Sequence, residues 1–419
     1  MWKSTATGRD RRRAIAWVLV FAVVLLATAL GAYAYGRSQS PAALGKEDRE
    51  SLALYAEALD TVRDDYVDRE AIDPRKQTYG AIEGMLDTLG DGGHTRFLTP
   101  EEREQNREDL SGTYVGIGVT LENEDEKVIV VAPIENSPAD RAGIEAGDVV
   151  VAVNGESVRG EDLSHVVEKV KGPEGTEVKL TVMRGEEERV FDLERSEIEA
   201  PVASWVLIPG SDVAHVRLSS FSNDSAEKLR EAFEESQSAG AQRFVLDLRD
   251  NPGGNLDQAV EIAGYFLKAG SVVYIRENAS GEREEIEVGD GVERTDAPMA
   301  VLVNGGTGSS SEILAGALRD NDRAVVIGKK TFGTGTVLKE FVLRDGSAIL
   351  LGVAEWLTPH GDFIRGTGIA PDIEVSLEEG AEPLVPSEAR GLSREEILER
   401  DAQLRRAFEN LQDRQQRSN

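Results

Sequence analysis

Apolar positions along this 419-residue chain change period twice, and the changes divide it. Over 47–108 the spacing is helical. Leu52, Tyr55, Ala56 and Leu59 recur at i, i+3, i+4 and i+7, and Tyr79, Ile82, Leu86 and Leu89 form a second stripe. Gly90-Asp91-Gly92-Gly93 ends that helix. Thr99-Pro100-Glu101-Glu102 opens a third, with Thr99 as N-cap, Pro100 in the first turn and Glu102 closing a capping box. From Ser111 the period drops to two. Val115, Ile117 and Val119, then runs at 128–131 and 149–153, read as strands separated by Gly, Asn and Pro turns. A short helix at 163–170 and strands at 178–182 and 189–193 complete a unit over 111–196. After Glu199, strands at 213–218, 244–248, 300–303 and 325–327 alternate with helices at 226–238, 256–267 and 310–319, and another strand follows at 348–356. That alternation predicts an α/β layer with largely parallel pairing. An acidic, proline-containing linker at 378–387 leads to one last helix, capped by Ser393 and carrying Ile397, Leu404, Phe408 and Leu411.

The amino end adds a compartment. Residues 14–36 hold no charged side chain and include Trp17-Val18-Leu19-Val20-Phe21 and Val23-Val24-Leu25-Leu26. About 20 apolar residues span a bilayer as a helix. Arg11-Arg12-Arg13, just before them, should stay in the cytoplasm. The expectation is a single-pass membrane protein whose bulk is extracytoplasmic. Ala32-Tyr33-Ala34 also offers a signal-cleavage site, so a removed signal peptide is the alternative to a retained anchor.

Charge and composition then exclude several classes. The net charge is −30, and residues 1–13 carry five basic and one acidic side chain, so the remainder sits near −34. Nucleic-acid binding needs clustered Lys and Arg, and no such cluster follows the amino end. Cysteine is absent, which removes disulfides, thiolate metal sites and cysteine nucleophiles.

Two sets of motifs carry candidate chemistry. In the period-two unit, Tyr114-Val115-Gly116-Ile117-Gly118, Ser137-Pro138-Ala139-Asp140-Arg141-Ala142-Gly143-Ile144, Gly147-Asp148 and Val153-Asn154-Gly155 occur in order. A glycine-flanked turn of this kind exposes backbone N–H groups that capture a terminal carboxylate, and the next strand edge accepts an extended peptide. The unit resembles a PDZ domain. In the α/β half, an apolar strand ends at Asn304 and is followed by Gly305-Gly306-Thr307-Gly308-Ser309-Ser310-Ser311-Glu312. A serine there stands at a helix N-terminus, where unpaired N–H groups favour developing negative charge. Ser309-x-x-Glu312 also reads as a capping box, so these residues alone leave Ser309 as either nucleophile or N-cap. A second turn, Asp250-Asn251-Pro252-Gly253-Gly254, follows the buried strand at 244–248.

These segments, with Lys330-Thr331-Phe332-Gly333-Thr334-Gly335-Thr336-Val337, Thr358-Pro359-His360-Gly361 and Gly366-Thr367-Gly368-Ile369-Ala370-Pro371-Asp372, resemble the carboxyl-terminal processing peptidases in order and spacing over about residues 45–415. The resemblance implies a multidomain α/β protein: a membrane anchor, a helical leader, a PDZ β-sandwich or barrel-like module, and a ClpP/crotonase-like peptidase core. Expected bounds are a cytoplasmic basic tail at 1–13, anchor at 14–36, tether and helical segment at 37–110, PDZ at 111–196, core at 197–376, and acidic linker with C-terminal helix at 377–419. It implies Ser309 as nucleophile, and Gly253, Gly254 and Ser310 as the oxyanion hole. Tyr114, Val115, Gly116, Ile117 and Gly118 are then the peptide-binding loop. Partners are protein or peptide C-termini and the membrane through 14–36, with homo-oligomerisation an open option; no metal, cofactor or nucleic acid is implied.

One departure changes the chemistry. The family usually activates its serine with a lysine 25 residues downstream, between two glycines, supported by a glutamine four residues further on. Here those positions are Thr334 and Leu338. Threonine is no general base. His94 stands where related Ser/His/Glu peptidases, such as the tricorn core and the chlamydial secreted protease, place their histidine, and Glu355 replaces a usually basic residue. A histidine can take the serine proton and a carboxylate can orient it. A Ser309–His94–Glu355 triad is therefore expected, and a PDZ-bearing scaffold that binds without cutting is the alternative.

Overall fold

The computed structural model describes residues 45–91, 94–124, 127–134, 136–291, 294–378 and 380–418. The expected anchor at 14–36 lies outside them, and among the described residues no helix is long and apolar enough to cross a membrane. Chain contacts divide the protein between Thr78 and Tyr79. In the first unit the helix Lys46–Asp65 carries no buried residue; Leu52 and Tyr55 of its predicted stripe are exposed. The helix Pro74–Asp87 runs across the division.

In the second unit, Thr99 caps the helix Pro100–Ser111 as its sequence predicts, and Glu102 completes the box. The period-two segment forms a six-stranded antiparallel sheet around its own core, including Val130, Val150, Val153 and Leu180. Strand Val119–Glu124 is at one edge of that sheet, beside the helix Leu163–Val170. Strand Thr113–Gly116 leaves this sheet and pairs with Ser196–Glu199.

The α/β half is built on a sheet ordered Ala203–Leu207, Val213–Leu218, Arg243–Asp247, Met299–Val303, Val325–Gly328, Ile373–Glu374, parallel except for its first pair. Both faces are covered, so its central strands are continuous apolar runs. Phe244, Leu246 and Leu248 face a core closed by helices Ser225–Ser238, Leu256–Phe266 and Ser310–Asp320. Val245 faces a second core, filled from the C-terminal segment by Leu404, Phe408 and Leu411. The sequence pattern joins Ile397 to Leu411 in one helix. The structure has two, Arg394–Arg400 and Ala402–Ser418, because Asp401 stops the first and its carboxylate accepts the Leu404 N–H of the second.

Strand Ala348–Leu357 does not join the parallel sheet. It pairs antiparallel with Arg96–Leu98, Val272–Asn278 and Thr336–Val342. This second sheet brings the segment around His94 to the segment around Thr336.

Candidate active site

Ser309 ends the turn after strand Met299–Val303 with φ 51° and ψ −119°, a region non-glycine residues rarely occupy. Such backbone costs about 1–3 kcal/mol and persists where the surroundings over-determine it. Here they do. Glu312 is fully buried, and its carboxylate accepts the N–H groups of Ser309 (2.9 Å), Gly333 (2.7 Å) and Thr334 (3.0 Å) together with the Thr331 hydroxyl. Only this half of the capping box forms. The Ser309 side chain makes no capping hydrogen bond, so its hydroxyl is free for other work.

The facing turn is tied to the nucleophile turn from several directions. The Asn251 carbonyl accepts the Gly308 N–H and the Ser311 hydroxyl, its side-chain oxygen accepts the Gly253 N–H, and its amide donates to the Leu218 carbonyl. Ser310 Oγ donates to the Gly254 carbonyl at 3.0 Å. The Gly253 amide is therefore used internally. The amides of Gly254 and Ser310 have no acceptor among the described residues. Both glycines are required by shape: a Cβ on Gly253 would stand 2.7 Å from the Ser309 Cβ, and one on Gly254 would stand 2.4 Å from the Phe221 carbonyl oxygen. Two free N–H groups beside a strained serine can stabilise an oxyanion.

Ser309, Ser310 and Gly254 open onto a cavity of about 550 Å³ that His94, Thr334, Thr336 and Leu338 also line. Its walls are otherwise mostly apolar, with Leu110, Ile313, Val337 and Trp356. The structure thus brings Ser309 and His94 to one site although the chain separates them widely. Their side chains are not hydrogen-bonded to each other; the nearest polar partner of His94 is Thr336, with Nδ1 3.5 Å from Oγ1. Glu355 lies opposite Thr336 in the antiparallel register and so shares its face. Its carboxylate is engaged by Arg365 at 3.0 Å, and the expected contact with His94 is not formed.

One acid that the sequence reading quoted without a role is beside the histidine. Asp91 accepts the Thr95 N–H at 2.9 Å. Burial opposes its ionisation, but the Thr95 hydrogen bonds and the charges of His94 and Arg365 hold its carboxyl below the usual range. An acid three residues before the histidine on the same short loop was the available signal.

The segment expected to form the peptide-binding loop is folded as a braced turn. Gly118 has φ +76°, its carbonyl accepts the Ile134 N–H (2.9 Å) and the Ser137 hydroxyl (3.0 Å), and the Ile117 carbonyl accepts the Ala139 N–H. The motif around Ser137 is therefore the brace of the Gly116-Ile117-Gly118 turn, and it leaves the free edge of Val119–Glu124 open beside helix Leu163–Val170.

Similarity to known proteins identifies the family. Residues 212–375 match the model of peptidase family S41, and residues 129–184 match a PDZ domain. The chain is 36% identical over 340 residues to the "Probable CtpA-like serine protease" of Staphylococcus aureus (strain COL), covering 81% of this chain and 67% of that protein. The solved photosystem II D1 C-terminal processing protease is 29% identical, with 79% of this chain and 94% of that chain covered at a TM-score of 0.45. An S41 protease structure from Bacteroides fragilis is 19% identical, with 81% and 94% covered and a TM-score of 0.50, a likeness of fold alone. The chain is a serine-type peptidase that belongs to the S41 family of C-terminal processing peptidases.

Proposed function

We propose that this chain is a membrane-anchored, extracytoplasmic peptidase that captures protein C-termini in its PDZ module and cuts them with His94, in place of the missing lysine, as base for Ser309. The observation that carries the reading is the common cavity: residue 334 is a threonine, and among the described residues lining the same space His94 supplies the one imidazole, the side chain most used as a general base. In this reading Ser309 attacks the scissile carbonyl, His94 takes its proton and returns it to the leaving amine, and the amides of Gly254 and Ser310 hold the oxyanion. Substrate binding closes the gap between His94 and Ser309, as catalytic hydrogen bonds commonly tighten only in the complex. Glu355 is the orienting carboxylate once substrate or loop movement frees it from Arg365, with Asp91 contributing negative charge near His94. Residues 14–36 tether the molecule, and Tyr114 to Gly118 with the edge of Val119–Glu124 hold the substrate tail.

A non-cutting scaffold is the second reading, and two observations favour it: among the described residues no base is hydrogen-bonded to Ser309, and Glu355 is occupied by Arg365. Incubating the full-length chain with an unfolded protein substrate, beside Ser309→Ala and His94→Ala, separates the two. Cleavage lost in both variants supports the proposal. Wild type no faster than Ser309→Ala removes the enzymatic reading, and normal cutting by His94→Ala removes the histidine.

A further inference from the structure

Beneath the oxyanion turn, on the sheet face away from the cavity, is a charged cluster with no part in the chemistry above. Arg249 immediately precedes the Asp250–Asn251 turn and is fully buried. Its Nε and Nη2 grip Asp247 as a fork at 2.9 and 2.7 Å, and its Nη1 donates to Asp401 at 2.7 Å and to Gln403 at 3.0 Å. Asp247 also meets His215 Nε2 at 2.9 Å, and Asp247, His215 and Asp401 are all fully buried. Asp401 in turn accepts the Leu384 N–H at 3.1 Å and the Leu404 N–H at 2.8 Å. Gln403 reaches on to the Val375 carbonyl. The C-terminal segment therefore closes over Arg249 with its own backbone and two of its side chains.

We propose that this segment is a clasp, and that Asp401 and Arg249 are positioning residues that hold the Gly254 and Ser310 amides in register through the Asn251 turn. The path is short and continuous. A buried guanidinium is tolerated only while its partners remain; removing one leaves uncompensated charge that must move toward other partners or water. Any movement of Arg249 is passed to Asp250, which already sits at φ 55°, and to Asn251, whose carbonyl and side chain hold Gly308, Ser311 and Gly253. The turn is also held by Asn304 at Asp250, by the Leu218 carbonyl at Asn251 and by the Phe221 N–H at Gly253, and Arg249 is its link to the C-terminal segment. The proposal rests on reading Gly254 and Ser310 as the oxyanion site, and it is independent of which residue is the base.

The test uses the full-length chain and Asp401→Asn, which keeps a capping oxygen for Leu404 but loses the charge. Leu411→Ala is the control: it hollows the same C-terminal core without touching Arg249. Labelling of Ser309 by a fluorophosphonate is timed, because the phosphonyl oxygen must enter the oxyanion site. Amide hydrogen exchange over 249–256 and Tm are read on the same samples. Asp401→Asn should label at least about tenfold more slowly, a part of the 10²–10³ that an oxyanion donor contributes, with faster exchange over 249–256. Leu411→Ala should lose Tm yet keep both the wild-type labelling rate and the wild-type exchange. Wild-type labelling and exchange in Asp401→Asn would overturn the proposal. So would slowing in both variants in proportion to Tm, which marks a stability effect only. Should Asp401→Asn not fold, Gln403→Leu, which removes one acceptor from Arg249, is judged by the same criteria. A wild type that does not label at all counts against the peptidase reading; exchange over 249–256 then decides the clasp by itself.

Discussion

Replacing Thr334 by lysine asks whether this site lacks anything but its family's base. The Thr334 hydroxyl lies 3.5 Å from where a Cβ on Gly308 would stand, so a side chain at 334 enters beside the nucleophile. The backbone there is fixed by the Thr334 N–H to Glu312 at 3.0 Å, and a lysine needs no new conformation. Its amine would enter the same cavity, whose walls include Ile313, Val337, Leu338 and Trp356. Apolar surroundings disfavour the ammonium and push a lysine toward its neutral, proton-accepting form. A positioned general base contributes about 10²–10⁴ in rate, or about 3–5 kcal/mol of barrier. If His94 is that base, His94→Ala loses this much in the parent chain. In the Thr334→Lys background the same change should cost less than about threefold, because the two groups then compete for one role. The measurement is kcat/KM for a fluorogenic peptide with a free C-terminus, in the four proteins of the double-mutant cycle. Adding Leu338→Gln gives the amine a polar partner and should raise activity further. Additive losses at 94 and 334 would refute a shared role as base. A parent without turnover whose Thr334→Lys variant cuts would instead identify the scaffold reading.

Three other changes probe the serine's frame and the second sheet. Gly254→Ala places a Cβ 2.4 Å from the Phe221 carbonyl oxygen; displacing that turn should lower kcat by about 10²–10³ with little change in KM. Glu312→Gln replaces one carboxylate oxygen by a donor, and each oxygen serves two donors. One orientation strands the half-buried Ser309 and Thr334 amides and the other the buried Gly333 amide, a loss of about 1–3 kcal/mol read by urea unfolding. Hydrogen bonds from Ser347 and Tyr79 hold the Asp345 carboxyl down at about 2. A carboxyl lowered on folding adds stability above its unfolded pKa, about 3.9, and that stability is lost as pH falls through about 2. Tyr79→Phe should raise the Asp345 pKa, and an NMR titration in which it stays put would contradict the cause given.

What the sequence made legible was the backbone. Continuous apolar runs locate the parallel strands, because Phe244 and Leu246 must face one core while Val245 faces the other. Strands Val272–Asn278 and Thr336–Val342 escaped notice because their outward residues are polar or half-exposed and their pattern is mixed. The break at Asp401 was hidden for another reason. Ile397 and Leu404 are seven apart and both fully buried, so spacing joins them, and the interruption depends on a partner, Arg249, that is 152 residues away. Glu355 shows the same limit: the strand register puts it opposite Thr336, but its choice of Arg365 over His94 is a matter of side-chain competition in space.

The surroundings of Thr334 show how the family's lysine can be absent while the site keeps its shape. In the loop beside the nucleophile, Glu312 is bound by the Thr331 hydroxyl and by two backbone amides, those of Gly333 and Thr334. Phe332 N–H is held by the Thr307 carbonyl, and Gly333 carbonyl by the Gly366 N–H. No contact in this set uses the side chain at 334. The loop's path is therefore independent of what stands there, and so are the strain at Ser309 and the two free amides that face it. A substitution at 334 removes one proton acceptor and leaves the nucleophile, its helix and the oxyanion turn in place. Under those conditions any imidazole that reaches the cavity inherits a prepared site, and the contact from Thr336 to His94 puts one there.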